Sequence, residues 1–333
     1  MILKHKRTGE SMEVEIRSFR PSDAPQLIEC IRSAYGGTYV KPFLYREEEV
    51  VRMDQTGEMR FSVAETADHR LAGITAYEVS EEFPQMAEIA CQVIQEFGIG
   101  YGLALPLALH SMHRAEEERL SAQFSRALGC HLISQKTLKA MGFTACGFLL
   151  HVFDKEKFLL RFPNGNYAKI PQAVAVKRQD KLDAGRVWVP EEFRSLLNDI
   201  YTQLGVTWTP TAAGAPGSET QMIREQDQEH RNLTLRAVRC GADFGQQLRE
   251  AIAAVSDDPT QTVNLYLNLT DPGSAAAYEA ARAQGFLVTG FLPCCPDGEY
   301  MILHDPLQVP VHLEEIPYIP EYLPFLEEIR RQL

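Results

Sequence analysis

The chain has 333 residues, 45% of them hydrophobic and 23% charged, with a formal charge of −12. That composition is typical of a soluble globular protein, and the length is enough for two ordinary cores. The negative charge repels phosphate backbones and argues against nucleic acid as a partner, while a cationic small molecule is tolerated. No stretch has the apolar length of a membrane span, and Met1 to Met12 is basic without the hydrophobic stretch of an export signal. A cytoplasmic protein with no membrane partner is expected.

Apolar and polar residues alternate from Val14 to Phe19, and Pro21-Ser22-Asp23 then opens a helix with Ala24, Leu27, Ile28 and Ile31 on one face. Phe61 to Glu65 and Leu71 to Val79, separated by the polar turn Thr66 to Arg70, predict an antiparallel hairpin. Met86 to Ile94 reads as a strand that ends at Gly98-x-Gly100-x-Gly102. A long helix follows, apolar from Leu103 to Leu109 and polar from Ser111 to Arg119. Pro106 would break its ladder unless the first turn starts near Leu103, so a late or kinked start is expected. Ala122 to Leu132 is a strand candidate, and Ser134 to Met141 a helix, with Ser134 as its cap.

The phrase Gly142-Phe143-x-x-x-Gly147-Phe148-Leu149 recurs 143 residues later as Gly285-Phe286-x-x-x-Gly290-Phe291-Leu292. Each copy follows an amphipathic helix signal, so each reads as helix, glycine stop, strand, and one structural unit is expected twice. Between the copies, Pro163, Gly165, Pro171 and Pro190 break the periodicity until a helix signal at Glu191 to Leu204. Thr209 to Gly217 reads as a loop. Thr220 to Glu225 and Asn232 to Arg239 flank the turn Gln226 to Arg231 as a second hairpin, followed by a helix from Asp243 to Val255, a strand from Thr262 to Leu269, and the second repeat. The expected organisation is residues 1–155 as a first domain, 156–219 as linker and connecting helix, 220–310 as a partial second copy without the glycine run, and 311–333 as a tail packed on a domain surface.

Seven cysteines, at 30, 91, 130, 146, 240, 294 and 295, form an odd set without metal-ligand spacing. Reduced buried thiols fit that usage, and Cys294-Cys295 beside Pro293 and Pro296 reads as a turn or a redox pair. His110 and His113 lie three apart on the long helix, but no third ligand converges, so no metal is expected.

Glycines at i, i+2 and i+4 between a strand and a helix let the backbone approach a ligand closely, where free helix N-terminal amides bind phosphate. The run lacks the Lys-Ser/Thr of a nucleotide-triphosphate loop and the parallel strand-helix-strand context of a dinucleotide site, so ATP and NAD are not its natural ligands. Here the sequence resembles the GCN5-related N-acetyltransferase superfamily. Gln95-Glu96-Phe97-Gly98-Ile99-Gly100 is similar to the family's Arg/Gln-x-x-Gly-x-Gly/Ala loop, and Phe97 to Leu105 to its longer version except at the Arg. The likeness spans about residues 14–150, and more faintly 220–305.

The resemblance implies an α/β fold of two such domains, each a mostly antiparallel sheet flanked by helices. It also implies acetyl-CoA or another acyl-CoA as cofactor. The acceptor would be a primary amine of a small molecule or peptide. Gln95, Gly98, Ile99, Gly100, Tyr101, Gly102 and Leu103 would cradle the coenzyme pyrophosphate. Backbone N–H groups near Ala90, Cys91, Gln92 and Val93 would hold the thioester oxygen, and His131 and Ser134 would touch the coenzyme. Glu88 is the expected base, on one strand face with Ala90 and Gln92, its pKa raised beside a desolvated cleft; a solvated edge glutamate is the alternative. The family's Tyr that protonates the leaving thiolate falls at Leu138, which leaves His131 or Tyr101 as the acid. A non-catalytic acyl-CoA-binding regulator is the rival reading, and a homodimer is compatible with either.

Overall fold

The computed structural model describes residues 1–83, 85–118, 120–157, 169–180 and 183–333. Pro163, Gly165 and Arg119 lie outside the described residues. The chain is a mixed α/β protein with a large, mostly antiparallel sheet flanked by helices. Its first half supplies β1 (Ile2–Lys4), β2 (Ser11–Ser18), β3 (Met59–Thr66), β4 (Leu71–Val79), β5 (Met86–Ile94), β6 (Ala122–Leu128), β7 (Thr144–Asp154) and β8 (Lys169–Arg178). Helices α1 (Ala24–Tyr35), α2 (Glu47–Thr56), α3 (Ala104–Glu116) and α4 (Ile133–Ala140) cover the two faces. α3 does start late: Pro106 is its third residue, where no intrahelical N–H is needed.

The second half adds β9 (Gly185–Val187), α5 (Arg194–Leu204), β10 (Trp208–Pro210), β11 (Gln221–Asp227), β12 (Asn232–Arg239), α6 (Phe244–Ala253), β13 (Thr262–Asn268), α7 (Ser274–Arg282), β14 (Leu287–Cys295), β15 (Gly298–Asp305) and α8 (Leu323–Gln332). Thirteen strands form one sheet in the order β1-β2-β3-β4-β5-β6-β8-β7-β14-β15-β13-β12-β11, and β9 and β10 form a separate parallel pair. The run β4-β5-β6-β8-β7 has its counterpart in β11-β12-β13-β15-β14. Each run holds one parallel pair, β5 with β6 and β12 with β13, crossed over by α3 and α6 respectively.

The repeated phrase lies where the two runs meet. Gly142 and Gly285 end their helices at positive φ, 81° and 95°. Five residues on, Gly147 and Gly290 are the one residue pair that joins β7 to β14, antiparallel, and each lies beside a register shift that skips Cys146 or Thr289. Equivalent residues therefore face each other across a local two-fold. A Cβ on Gly147 would fall 2.4 Å from Gly290 Cα, and one on Gly290 would fall 2.4 Å from the Cys146 carbonyl oxygen. No larger residue fits this crossing without moving a backbone.

Apolar residues of both halves, among them Phe124, Phe148, Val176, Phe291, Ile302 and Phe325, belong to one core. A buried polar circuit lies beside it. His151 Nδ1 meets His304 Nε2 at 2.9 Å, His304 Nδ1 meets Asn264 Oδ1 at 2.9 Å, Asn264 Nδ2 donates to Asn232 Oδ1, and Asn232 Nδ2 returns to the His151 carbonyl. Burial holds both imidazoles neutral, with His151 down at about 3, so one proton per ring satisfies every link.

Three expectations are corrected. Lys169–Arg178, within the stretch read as linker, is the strand between β6 and β7 that completes the first run. Residues 311–333, expected to pack on a domain surface, are built into the shared core: Ile316, Ile319, Tyr322, Phe325 and Ile329 are buried in it, and the Tyr322 hydroxyl donates to the Val174 carbonyl. Ser134 does not cap α4, whose first flanking residue is Leu132. The strands β1, β9, β10 and β15 and the helix α2 are additions to the sequence reading.

Alanine at Gly147 or Gly290 is expected to cost about 2–3 kcal/mol each, from forced displacement of the facing backbone. Alanine at Gly142, where a Cβ meets nothing within 4 Å, is expected to cost about 1 kcal/mol, for the left-handed conformation alone. Urea midpoints of the three variants measure this, and equal losses would contradict a tight crossing.

Candidate active site

β5 and β6 run parallel but pair only at Met86–Ala122, Ala87–Gln123 and Glu88–Phe124. Beyond Glu88 they part, and the Ser125 hydroxyl donates to the Ile89 carbonyl at 2.9 Å across the opening. A cavity of about 800 Å³ fills the gap. Ile89 to Ile94 line one wall, Ser125 to Leu128 the other, and the glycine segment and α4 the mouth. Position 91 breaks the expected alternation. Cys91 has a φ of 54°, and β4–β5 pairing shifts register there, so Glu88 and every residue from Ala90 to Val93 border the same cavity. Burial pushes the Cys91 thiol up to about 12, so it stays protonated.

The glycine segment begins with a 3-10 turn, Glu96–Gly98, that uses the amides of Gly98 and Ile99 on Gln95 and Glu96 carbonyls. Among the described residues, the next four N–H groups, Gly100 to Leu103, donate to no protein acceptor. They sit at the start of α3, where the helix dipole adds positive potential, and Gly98, Ile99, Gly100, Gly102 and Leu103 line the cavity. The Ile99 amide, expected among the donors, is thus occupied. Gln95 and Tyr101 do not line the cavity: the Gln95 amide nitrogen contacts Cys30 Sγ, and the Tyr101 ring packs edge-on against His5.

Glu88 lies at the base of the opening but differs from both expectations for it. It is buried rather than an edge residue, and Arg126 of β6 grips both its oxygens, at 3.0 and 2.7 Å. Burial pushes its carboxyl up, but Arg126 outweighs that and holds it below the usual carboxylate range. Arg126 also pairs with Glu82. His131 and Ser134 line the mouth with Leu138, and burial lowers the His131 imidazole, leaving it neutral near pH 7.

Sequence reasoning missed Lys6, Tyr35, Tyr39, Lys41, Arg126 and Asp227, all of which border the cavity. Burial holds the Tyr39 phenol well above its ordinary value, so it remains a proton donor, and Lys41 is paired with Glu78 at 2.6 Å. Only Arg126 left a signal, as the one charged residue of β6. His110 bonds the Ser62 hydroxyl at 2.9 Å, and among the described residues no group of three or more His, Cys, Asp or Glu side chains is placed to hold a metal. The seven cysteines are free thiols.

The corresponding place in the second half is built differently. β12 and β13 stay paired over six positions, Asn232–Thr262 to Ala237–Leu267. Three successive amides before α6 are engaged: Cys240 with Asp271 Oδ1, Gly241 with Thr220 Oγ1, and Ala242 with the Gly217 carbonyl. Asp243 puts a carboxylate at the helix start.

No family model and no curated protein matches the chain. Solved structures do, each over about half of it. They include a GCN5-related N-acetyltransferase from Kribbella flavida (16% identity, 50% of this chain and 97% of that one, TM-score 0.39). Spermidine N-acetyltransferase from Vibrio cholerae aligns at 18% identity, over 50% of this chain and 95% of that one, with a TM-score of 0.40. Ribosomal-protein-alanine N-acetyltransferase from Brucella melitensis aligns at 16%, over 49% and 99%, also with 0.40. Among the described residues no helix is long and apolar enough to cross a membrane.

Glu88→Gln leaves the Arg126 guanidinium half-neutralised and is expected to cost about 3 kcal/mol at pH 7. Because the Glu88 carboxyl is held low, its contribution is present above the unfolded carboxylate range, near pH 4.3, and is lost as pH falls through the depressed folded value. Urea unfolding of both proteins at pH 7 and in acid checks this; a difference that persists unchanged in strong acid would contradict the ion pair.

Proposed function

We propose that the chain is an acyl-coenzyme A-dependent N-acyltransferase, taking acetyl from acetyl-CoA, with one working site between β5 and β6. The observation that carries the reading is the coincidence of an opened parallel strand pair, four unengaged amides at a helix start, and a cavity joining them. A coenzyme pyrophosphate fits the amides, and the pantetheine arm fits the gap between the strands. The residues present suit that cofactor, since a diphosphate needs such donors and the arm needs an apolar slot.

In this reading the acceptor is a primary amine of a small molecule or peptide. Its nitrogen attacks the thioester carbon, the C–S bond breaks, and the thiolate takes a proton. An alkyl ammonium must first lose its proton. Glu88, fixed as a carboxylate by Arg126, serves best as an electrostatic anchor that draws the amine in and holds a water relay. Neutral His131 can accept a proton, and the phenol of Tyr39 can donate one to the leaving sulfur where Leu138 cannot.

We assign a first unit to residues 1–178, a connector to 179–219, and a degenerate second copy to 220–310, with 311–333 packed across both. The second copy binds no coenzyme, because its strand pair is closed, three of the amides before its crossover helix are occupied, and the Asp243 carboxylate stands at the helix start. A cytoplasmic location, and a homodimer as a compatible assembly, belong to the same proposal. The rival reading, a non-catalytic acyl-CoA sensor, is favoured by one observation, Leu138 at the place of the family's acid.

Calorimetric titration with acetyl-CoA is expected to give one site per chain, and a panel of primary amines is expected to include one that releases free thiol. Tight binding without thiol release over any amine would favour the sensor, and no binding would overturn both. Gly100→Glu is expected to abolish binding, because the new carboxylate repels phosphate and displaces the hairpin packed on Gly100.

A further inference from the structure

The hairpin formed by β1 and β2 lies at the outer edge of the sheet, yet its tip reaches back to the glycine segment. The Lys6 amide donates to the Gly100 carbonyl at 3.0 Å. His5 Nδ1 accepts the amides of Arg7 and Thr8, at 3.3 and 3.1 Å, which places the ring's proton on Nε2. The ring then packs against Tyr101, centroids 5.0 Å apart, and against the bare face of Gly100, where a Cβ would fall 2.2 Å from Nε2. Gly100, with a φ of 92°, is therefore required by the hairpin as much as by any ligand.

The same contact fixes where the next side chain goes. The Lys6 stem passes Gly102, with Cε 3.8 Å from the place a Cβ would occupy there, and Lys6 lines the cavity. Its ammonium is one bond beyond that Cε, beside the segment whose amides, Gly100 to Leu103, have no protein acceptor. Among the described residues Lys6 has no carboxylate within ion-pair distance. The protein otherwise carries a surplus of acid, so a cation held without a counterion beside four open N–H donors forms a local anion site on a negatively charged molecule.

We propose that Lys6 is a side-chain ligand for the cofactor's phosphates, carried to the glycine segment by the N-terminal hairpin and supplying the fixed charge that the segment lacks at Phe97. This rests on the acyl-CoA reading and goes beyond it, since neither the glycine run nor its sequence likeness involves residues 1–10. Lys6 is exposed; an ammonium on a flexible stem suits a phosphate oxygen at the cavity mouth, where screening by solvent limits its effect to a moderate one.

The test is calorimetric titration of the full chain and its Lys6→Ala, Lys6→Arg and Lys6→Glu variants with acetyl-CoA at two salt concentrations. Lys6→Ala is expected to weaken binding about tenfold and to flatten the salt dependence. Lys6→Glu is expected to weaken it further, and Lys6→Arg to stay within about threefold of the parent. Repeating the series with 3′-dephospho-acetyl-CoA names the phosphate: a retained penalty assigns Lys6 to the diphosphate, and a lost one assigns it to the 3′-phosphate. Parent-like affinity in Lys6→Ala would overturn the proposal, and so would equal losses in Lys6→Ala and Lys6→Arg accompanied by a lower melting temperature. If the parent chain itself fails to bind acetyl-CoA, the acyltransferase reading falls first and the Lys6 assignment falls with it.

Discussion

The close approach of Gly147 and Gly290 is the constraint on which this architecture depends. Two sheets can continue into one another only if their terminal strands meet backbone to backbone, and here the meeting point leaves no room for a Cβ on either side. The register shifts that flank both glycines turn the strands enough to let the apolar cores on either side merge. With that crossing in place, Asp227 at the end of β11, the edge strand of the second half, comes to border the cavity of the first. The junction thus shapes the site as well as the fold.

The two halves show how one topology gives an open cleft or a closed pair. In both, a parallel strand pair precedes a crossover helix. In the first half the pair separates after three positions, a positive-φ bulge at Cys91 re-aims the strand, and the helix is entered through glycines whose amides stay free. In the second half the pair runs on for six positions, and Thr220, Asp271 and the Gly217 carbonyl occupy three of the amides before the helix. Buried N–H groups need partners, and a ligand is one way to provide them. Where protein groups already do so, fewer donors are left for an anion.

Much of this was legible in the sequence because it rests on local rules. The repeated Gly-Phe phrase, the amphipathic helices and the alternating strands each follow from spacing alone, and the late start of α3 follows from Pro106. What escaped depends on distant partners or on short elements. β8 was hidden because Pro171 reads as a breaker, although it sits inside a strand and its carbonyl accepts the Gly129 amide at 2.7 Å. α2 has only Val50 and Met53 buried, too few to show a stripe. The environment of Glu88 could not be read, because the residue that sets its charge, Arg126, is 38 positions away on a neighbouring strand, and because one bulge at Cys91 undoes simple alternation. The hairpin tip that carries Lys6 has no periodicity at all.

On the proposed function, a diphosphate-bearing thioester cofactor is held through the main-chain donors of Gly100 to Leu103 in the first half. A crystal structure of the chain grown with coenzyme A tests it most directly. One coenzyme per chain is expected, its pyrophosphate oxygens within hydrogen-bond distance of those amides and its pantetheine arm between β5 and β6, with nothing between β12 and β13. Coenzyme bound elsewhere on the molecule, or lodged in the second half, would contradict it.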